Sequence, residues 1–187
     1  MSDKIFVLLG KTCSGKTTIA KKLEENNFNR VVSFTTRPMR TGEVEGVDYL
    51  FYDTDIILFL IASGKVIGLR SYIPAIENGI HPWYYGFRRG DIINDSSHFM
   101  ITDLNGLLEI EDEFGKDNVI SIYLDVDEKT QTSRCEGREG LTEEQLRRIK
   151  SDNEDFTNVE KYVDHIIDGS KKIDTVLKNV LKVMEGA

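Results

Sequence analysis

The sequence of 187 residues has only two cysteines, three prolines and one tryptophan, and its longest apolar run, residues 56–62, is seven residues long. A run of that length is far too short to cross a bilayer as a helix, which takes about 20 residues. The first eleven residues lack the apolar segment and cleavage site of a signal peptide, so we expect none. Two cysteines are too few for a disulfide framework, and the three histidines show no metal-ligand spacing. We therefore expect a cytoplasmic protein that does not associate with membranes.

Positive charge is also scarce, because 24 Lys and Arg residues stand against 32 Asp and Glu residues, a net charge of −8. This balance argues against a general nucleic-acid binder, which needs a basic face. The charge is uneven, however, since residues 29–42 contain three arginines and no acid. The chain length is typical of one compact domain, and we expect a monomer or a homodimer.

Short apolar segments alternate with helical patterns along most of the chain. The run at residues 5–9 ends at Gly10, and similar segments lie at 98–102, 119–126 and 162–167. Helices are expected over residues 17–25 and 104–114, and at the C-terminus, where an apolar stripe begins at Ile173. This alternation predicts an α/β fold with a parallel sheet flanked by helices.

Two segments interrupt this pattern. Residues 33–85 hold all three prolines and five of the seven tyrosines, and we interpret them as a lobe inserted into a core of residues 1–32 and 86–187. Residues 129–141 are charged, contain Gly137 and Gly140 and lack an apolar period, which predicts a mobile loop.

The strongest motif, G-x-x-x-x-G-K-[ST], follows the first predicted strand. Its backbone N–H groups would point inward at phosphate oxygens, Lys16 would reach the β- and γ-phosphates of ATP, and the Thr17 hydroxyl would ligate Mg²⁺. The alternative is a chance match with Lys16 on the surface. Cys13 is interpreted as a small packing residue in preference to a redox switch. The candidate ATP site consists of Gly10, Lys11, Thr12, Cys13, Ser14, Gly15, Lys16, Thr17 and Thr18.

A second motif lies in residues 33–49. Arg37 and Arg40 are three apart, which suits planar recognition of a phosphate, and Tyr49 adds a neutral hydrogen-bond donor. Taken alone, such arginines are more often solvated.

The two motifs together closely resemble the guanylate kinase family, which carries S-x-T-T-R-x-x-R-x-G-E-x-x-G-x-x-Y, a pattern present here in full. Similar landmarks are Tyr84-Tyr85-Gly86, the turn at residues 103–106 and Arg134-x-x-x-Arg138. The resemblance implies a P-loop NTPase-type sheet with a monophosphate-binding lobe and a lid at about residues 129–143. It also implies transfer of the γ-phosphoryl group of ATP to GMP or dGMP, with Mg²⁺ accompanying ATP and without nucleic-acid partners.

The resemblance also implies residue roles. The monophosphate site would consist of Ser33, Arg37, Arg40, Glu43, Tyr49, Tyr85 and Asp103, with Ser33 and Asp103 at the base end. One of Arg147 or Arg148 would join the lid, and we take Arg148. The catalytic set would then be Lys16, Arg37, Arg134, Arg138 and Arg148.

Several positions depart from the family pattern. Gly68 stands where the family has a guanine-reading glutamate, a loss that Glu43 or Glu77 could compensate. Residues 70–83 contain an apparent insertion, and Ile101 replaces an acid, so magnesium would depend on Thr17, the phosphates and water. Two alternatives therefore stay open, a P-loop kinase with another nucleotide acceptor and a non-catalytic binding module.

Overall fold

The computed structural model describes residues 4–73, 81–92, 98–139 and 142–186. Its strands are β1 (Ile5–Gly10), β2 (Asn29–Arg30), β3 (Phe34–Thr35), β4 (Leu50–Phe51), β5 (Val66–Tyr72), β6 (Trp83–Arg88), β7 (His98–Ile101), β8 (Val119–Asp125) and β9 (His165–Asp168). Its helices are α1 (Lys16–Glu25), α2 (Thr54–Ala62), α3 (Leu104–Phe114), α4 (Glu128–Glu139), α5 (Glu143–Asp155) and α6 (Ile173–Glu185).

The central sheet is parallel and follows the order β2–β7–β1–β8–β9. All six residues of β1 are buried, because the strand is paired on both sides and covered on both faces. The α/β fold with a parallel sheet is therefore confirmed. The last strand begins at His165, three residues later than predicted, because Tyr162 still closes a turn onto the carbonyl of Val159.

Helices cover both faces of this sheet. On one face, α1 and α6 pack against Phe6 and Leu124, and the apolar stripe of α6 is buried at Val176, Val180 and Met184. On the other face, α3 packs through Leu107 and Ile110. Among the described residues, no helix has the length and apolar character needed to span a membrane.

A second sheet, in the order β4–β3–β6–β5, lies between β2 and β7 along the chain, where the sequence predicts an inserted lobe. Ile67 and Phe87 of this sheet belong to the same buried cluster as Val7 and Leu107, so the two sheets share hydrophobic contacts through α3. The boundaries of the lobe and of the lid remain predictions. Of the predicted insertion, residues 74–80 lie outside the described residues.

The predicted mobile loop at residues 129–141 is wrong over its described part, where α4 runs from Glu128 to Glu139. Among the described side chains of α4, Gln131 and Cys135 are buried, four residues apart on one face. Because neither is a strongly apolar residue, the sequence shows no apolar period there. The carboxylate of Asp127 accepts the Thr130 N–H at 2.7 Å and so satisfies a backbone donor at the start of the helix.

Candidate active site

The phosphate loop joins the carboxyl end of β1 to α1, the edge of a parallel sheet where ligands bind. Gly15 precedes the helix in the left-handed region, with φ of 104°. At Gly10, a Cβ atom would lie 2.6 Å from the Ser14 Oγ, so the loop can close this tightly only around a glycine. The two fixed glycines of the motif thus have a geometric role.

Lys16 is the first residue of α1, and its Nζ donates to the carbonyl oxygens of Gly10 and Lys11 at 2.5 and 2.8 Å. The ammonium group therefore lies above the loop, next to the positive end of the helix. Thr17 follows it and is exposed at the mouths of two cavities. This arrangement places a cation, helix N–H groups and a hydroxyl together, as a triphosphate site requires.

Three neighbouring cavities surround the loop. The first, of about 600 Å³, lies between the loop, α1 and the start of α6, and is lined in part by Thr18. The second, of about 600 Å³, lies between the loop and the residue 30–49 segment, with Ser33 in its wall. The third, of about 360 Å³, lies between that segment, the second sheet and α5. Lys16 and Thr17 line the first two, whereas Arg40 and Tyr49 line the last two.

Arg37 lies in the wall of the third cavity and is only 5% exposed. Its Nη2 lies 2.7 Å from the Glu43 Oε1, and its guanidinium stacks 5.4 Å from the ring centre of Tyr49. The second carboxylate oxygen of Glu43 accepts the Arg40 N–H at 2.8 Å. Glu43 thus holds the guanidinium of Arg37 and the backbone of Arg40.

Electrostatic effects in the cluster of Arg37, Arg40, Glu43 and Tyr49 favour the charged forms of the ion pair between Arg37 and Glu43. Burial opposes ionisation of Glu43, but hydrogen bonds from Arg37 and the Arg40 N–H outweigh it and hold its pKa below the ordinary value. Burial likewise opposes the charge of Arg37, yet the contact with Glu43 keeps its pKa above the ordinary value. Burial raises the pKa of Tyr49, so its hydroxyl remains a donor.

Asp103 follows β7 and lines the third cavity together with Tyr85. Its carboxylate caps α3 by accepting the Gly106 N–H at 2.7 Å, and it also accepts from the Arg70 Nε at 3.0 and 3.1 Å. Ser33, predicted to share the base end with Asp103, lies in the adjoining second cavity instead. Of the two residues that could replace the missing glutamate, Glu43 is committed to Arg37 and Glu77 lies outside the described residues.

The predicted lid arginines lie on α4 and α5. Arg134 lines the first cavity and donates to the carbonyl oxygens of Ser14 and Gly169 at 3.1 and 2.8 Å. Arg148 lines the second and third cavities. Arg138 lies on α4, and its side chain is outside the described part of the structure. The structure thus brings Arg134 and Arg148 to the cavities, and the roles given to all three remain predictions.

The interpretation of Cys13 as a small packing residue is wrong, because its sulfur is part of a disulfide bond. Cys13 and Cys135 form a disulfide bond with their Cα atoms 5.7 Å apart, which joins the phosphate loop to α4. They lie 122 residues apart in sequence, and no spacing rule pairs such distant cysteines. A mobile loop at residues 129–141 would not bury Cys135, so that expectation gave no reason to pair it with Cys13. The helix does bury Cys135, beneath the phosphate loop.

Sequence reasoning also missed contacts made by α5. The Lys11 Nζ donates to the Asn153 Oδ1 at 2.7 Å, and the Thr12 N–H donates to the Asp152 carboxylate. Tyr72 of β5 lies beneath two guanidinium groups of α5, with ring-centre distances of 4.6 and 5.9 Å to Arg147 and Arg148, respectively. The sequence shows only that Tyr72 lies in a tyrosine-rich segment, and this does not identify the arginines that it contacts.

A preformed metal centre is not found in the described ranges, where no group of three or more His, Cys, Asp or Glu side chains is placed to hold an ion. Thr17 offers an exposed hydroxyl at the junction of the first two cavities.

In comparisons with known proteins, residues 2–73 match the family model described as guanylate kinase. The guanylate kinase of Oceanobacillus iheyensis is 28% identical, over 94% of this chain and 86% of the relative. That of Anaplasma phagocytophilum is 32% identical, over 64% of this chain and 56% of the relative.

Solved structures show the same likeness in the fold. The crystal structure of the Anaplasma phagocytophilum guanylate kinase superposes with a TM-score of 0.73 at 24% identity, covering 99% of this chain and 86% of that one. A gluconokinase from Sinorhizobium meliloti 1021 superposes with a TM-score of 0.56 at 12% identity, covering 98% and 95%. The resemblance predicted from the two motifs, and the P-loop NTPase-type fold that it implied, are confirmed.

Proposed function

Because the chain resembles the guanylate kinase family in sequence and in fold, we propose that it is an ATP-dependent nucleoside monophosphate kinase that phosphorylates GMP or dGMP. One observation carries the proposal. The phosphate loop and the cluster of Arg37, Arg40 and Tyr49 line adjoining cavities. Two phosphate sites that share a wall are what a direct transfer between two nucleotides requires.

ATP would occupy the first cavity with its phosphates on the loop. Lys16 and the first N–H groups of α1 would bind the β- and γ-phosphates, and Arg134 lines the same cavity. Arg134 donates to the carbonyls of Ser14, in the phosphate loop, and of Gly169, after β9, and these bonds would hold its charge beside the transferred group. Arg138 would complete the lid.

The monophosphate would lie in the second and third cavities, with its phosphate on Arg37, Arg40, Tyr49 and Tyr85. An oxygen of that phosphate attacks the γ-phosphorus, the bond to the β-phosphate oxygen breaks, and ADP leaves. The protein has little covalent chemistry to do in such a transfer, so its contribution is alignment and neutralisation of charge. Arg148 lines both cavities and would serve the transferred group.

Mg²⁺ would accompany ATP, and the Thr17 hydroxyl would be its protein ligand. A neutral oxygen is a donor that Mg²⁺ accepts, and this ion commonly completes its shell with phosphates and water. When bound, the ion neutralises charge on the β- and γ-phosphates. Thr17 is exposed where the first two cavities meet, so its hydroxyl can face a bound phosphate chain.

The local charge fits two polyanionic nucleotides despite the overall charge of −8. Four arginines and three carboxylates line the third cavity, and Lys16, Lys21 and Arg134 line the first. Local focusing of positive charge, more than the total, decides whether phosphates bind. A cytoplasmic location, where both nucleotides are abundant, is part of this proposal.

A coupled ADP-release assay with Mg·ATP and a panel of nucleoside monophosphates and their deoxy forms tests the proposal. We expect turnover with GMP and dGMP. A lack of turnover above background with every acceptor would refute the proposal, and calorimetric titration with ATP would then distinguish a binding module from a misfolded preparation.

A further inference from the structure

The carboxylate of Asp103 is already engaged by the protein. An ionised carboxylate offers about four acceptor positions. Two donors use it, the Gly106 N–H at 2.7 Å and the Arg70 Nε–H, which is shared between the two oxygens at 3.1 and 3.0 Å. The guanidinium also neutralises the carboxylate, which therefore presents a weak acceptor to the cavity that it lines.

The other carboxylates in the wall of the third cavity are occupied in the same way. Glu43 accepts from Arg37 and from the Arg40 N–H. Asp152 accepts from the Thr12 N–H and from the Gln131 Nε2. Every carboxylate that the described residues place in this wall thus already accepts hydrogen bonds from the protein, whereas the same wall carries four arginines.

Position 68 supplies no replacement. Gly68 lies in a bulge of β5 with φ of 63°, a conformation that a glutamate would adopt only with strain. Its N–H donates to the Glu109 Oε2 at 2.9 Å, and the other oxygen of Glu109 accepts from the Arg70 Nη1 at 2.6 Å. Glu109 is therefore held behind the strand and does not line the cavities.

Building on the proposed function, we infer that Arg70 determines base selectivity by keeping the carboxylate of Asp103 engaged. In the described wall of the third cavity, the 2-amino group of guanine, a pure donor, then meets only carboxylates that are already bonded to the protein. The 6-oxo group, an acceptor, suits the same wall, where Arg147 lies beside the arginines given to the phosphates. The acceptor class is therefore the 6-oxopurine nucleoside monophosphates, with IMP accepted as well as GMP. Arg70 is a positioning residue that acts through Asp103.

The test measures kcat/KM for GMP, IMP and AMP in the wild-type protein and in Arg70→Gln. In the wild type, we expect GMP and IMP to agree within about 10-fold, because a site that does not bond the 2-amino group cannot discriminate by it. In Arg70→Gln, the released Asp103 accepts from the 2-amino group, and the GMP/IMP ratio rises at least about 10-fold, mainly through KM. General damage to the fold would lower both activities without creating selectivity.

Two further variants sharpen the test. Arg89→Gln is the matched control, since Arg89 also joins the second sheet to α3, through Glu113, but does not contact Asp103. We expect it to leave the GMP/IMP ratio unchanged. Adding Asp103→Asn to Arg70→Gln should return the ratio to the wild-type value, because the gained selectivity depends on that carboxylate.

The outcomes separate this inference from the proposed function. A wild-type preference for GMP over IMP of more than about 10-fold, or an unchanged ratio in Arg70→Gln, overturns the inference and leaves the kinase proposal standing. A preference for AMP overturns the 6-oxopurine class. A lack of turnover with every monophosphate overturns the proposed function itself.

Discussion

Cys13, in the phosphate loop, is bonded through its sulfur to Cys135 on α4, although 122 residues separate the two along the chain. The bond closes a loop that contains most of the central sheet and the whole of the second sheet. A cross-link of this span restricts the unfolded chain far more than it restricts the folded one.

The first prediction is that reduction of this bond destabilises the fold. Chain-entropy arguments give an upper value of about 4–5 kcal/mol for a loop of this length. Urea unfolding with and without dithiothreitol measures the difference. Cys135→Ala, which removes the bond, should unfold at the same urea concentration under both conditions. Identical wild-type curves with and without the reductant would contradict the prediction.

The second prediction concerns Lys16. Lys16→Met removes the cation held over the loop by Gly10 and Lys11, so kcat should fall by about 10²–10³-fold or more. Steady-state kinetics with Mg·ATP and GMP measures the effect. The control is Lys178→Met on the exposed side of α6, which should keep wild-type kcat. An unchanged kcat in Lys16→Met would falsify the role given to this residue.

The third prediction concerns the ion pair between Arg37 and Glu43. Glu43→Gln leaves a guanidinium that is only 5% exposed without its counter-charge, which should cost about 2–4 kcal/mol of unfolding free energy. The KM for GMP should also rise, because Arg37 and Arg40 lose the group that fixes them.

Urea unfolding and steady-state kinetics measure both effects. Glu45→Gln is the control, because the exposed Glu45 accepts only a backbone hydrogen bond, from Phe51 at 3.0 Å, in the same segment. Equal losses in the two variants would show that the charge of Glu43 does not matter.

The fourth prediction is a pH dependence of stability from Asp164. Burial opposes its ionisation, but hydrogen bonds from the Ser121 N–H and hydroxyl, at 2.8 and 2.7 Å, and from Lys116 outweigh it and lower its pKa. A lowered folded-state pKa stabilises the protein above the unfolded-state value, near 4, and the contribution is lost as pH falls through the folded-state value.

Urea unfolding between pH 7 and pH 3 measures this contribution. Asp164→Asn should cost about 1–2 kcal/mol at pH 7 and a smaller amount at pH 3, so its stability depends less on pH than that of the wild type. Asp112→Asn, on the exposed side of α3, is the control and should follow the wild-type curve. Parallel curves for Asp164→Asn and the wild type would rule out this contribution.

Those parts of the fold that depend on local pattern could be predicted from the sequence. A run of apolar residues at 5–9 ending in a glycine gives a buried parallel strand, and α3 begins and ends where predicted. The phosphate loop was predictable for the same reason, because its geometry is set by neighbouring residues and by two glycines.

Features that depend on distant partners could not be predicted. Helix α4 buries Gln131 and Cys135, which are not strongly apolar residues. Its sequence therefore shows no apolar period, and its buried face cannot be recognised without knowing that the phosphate loop covers it. Arg70 belongs to no motif, and its contact with Asp103 joins two residues that are 33 positions apart in the sequence. The spacing of residues along the chain predicts neither the burial of Gln131 and Cys135 nor the contact between Arg70 and Asp103.

The four consecutive loop residues 11–14 each contact the hairpin of α4 and α5. Their partners are Asn153, Asp152, Cys135 and Arg134, respectively. These contacts link the position of the two helices to the shape of the phosphate loop. A molecule that displaced α5 would therefore change the affinity for a phosphate group bound there, and that phosphate group would change the affinity for the molecule by the same factor.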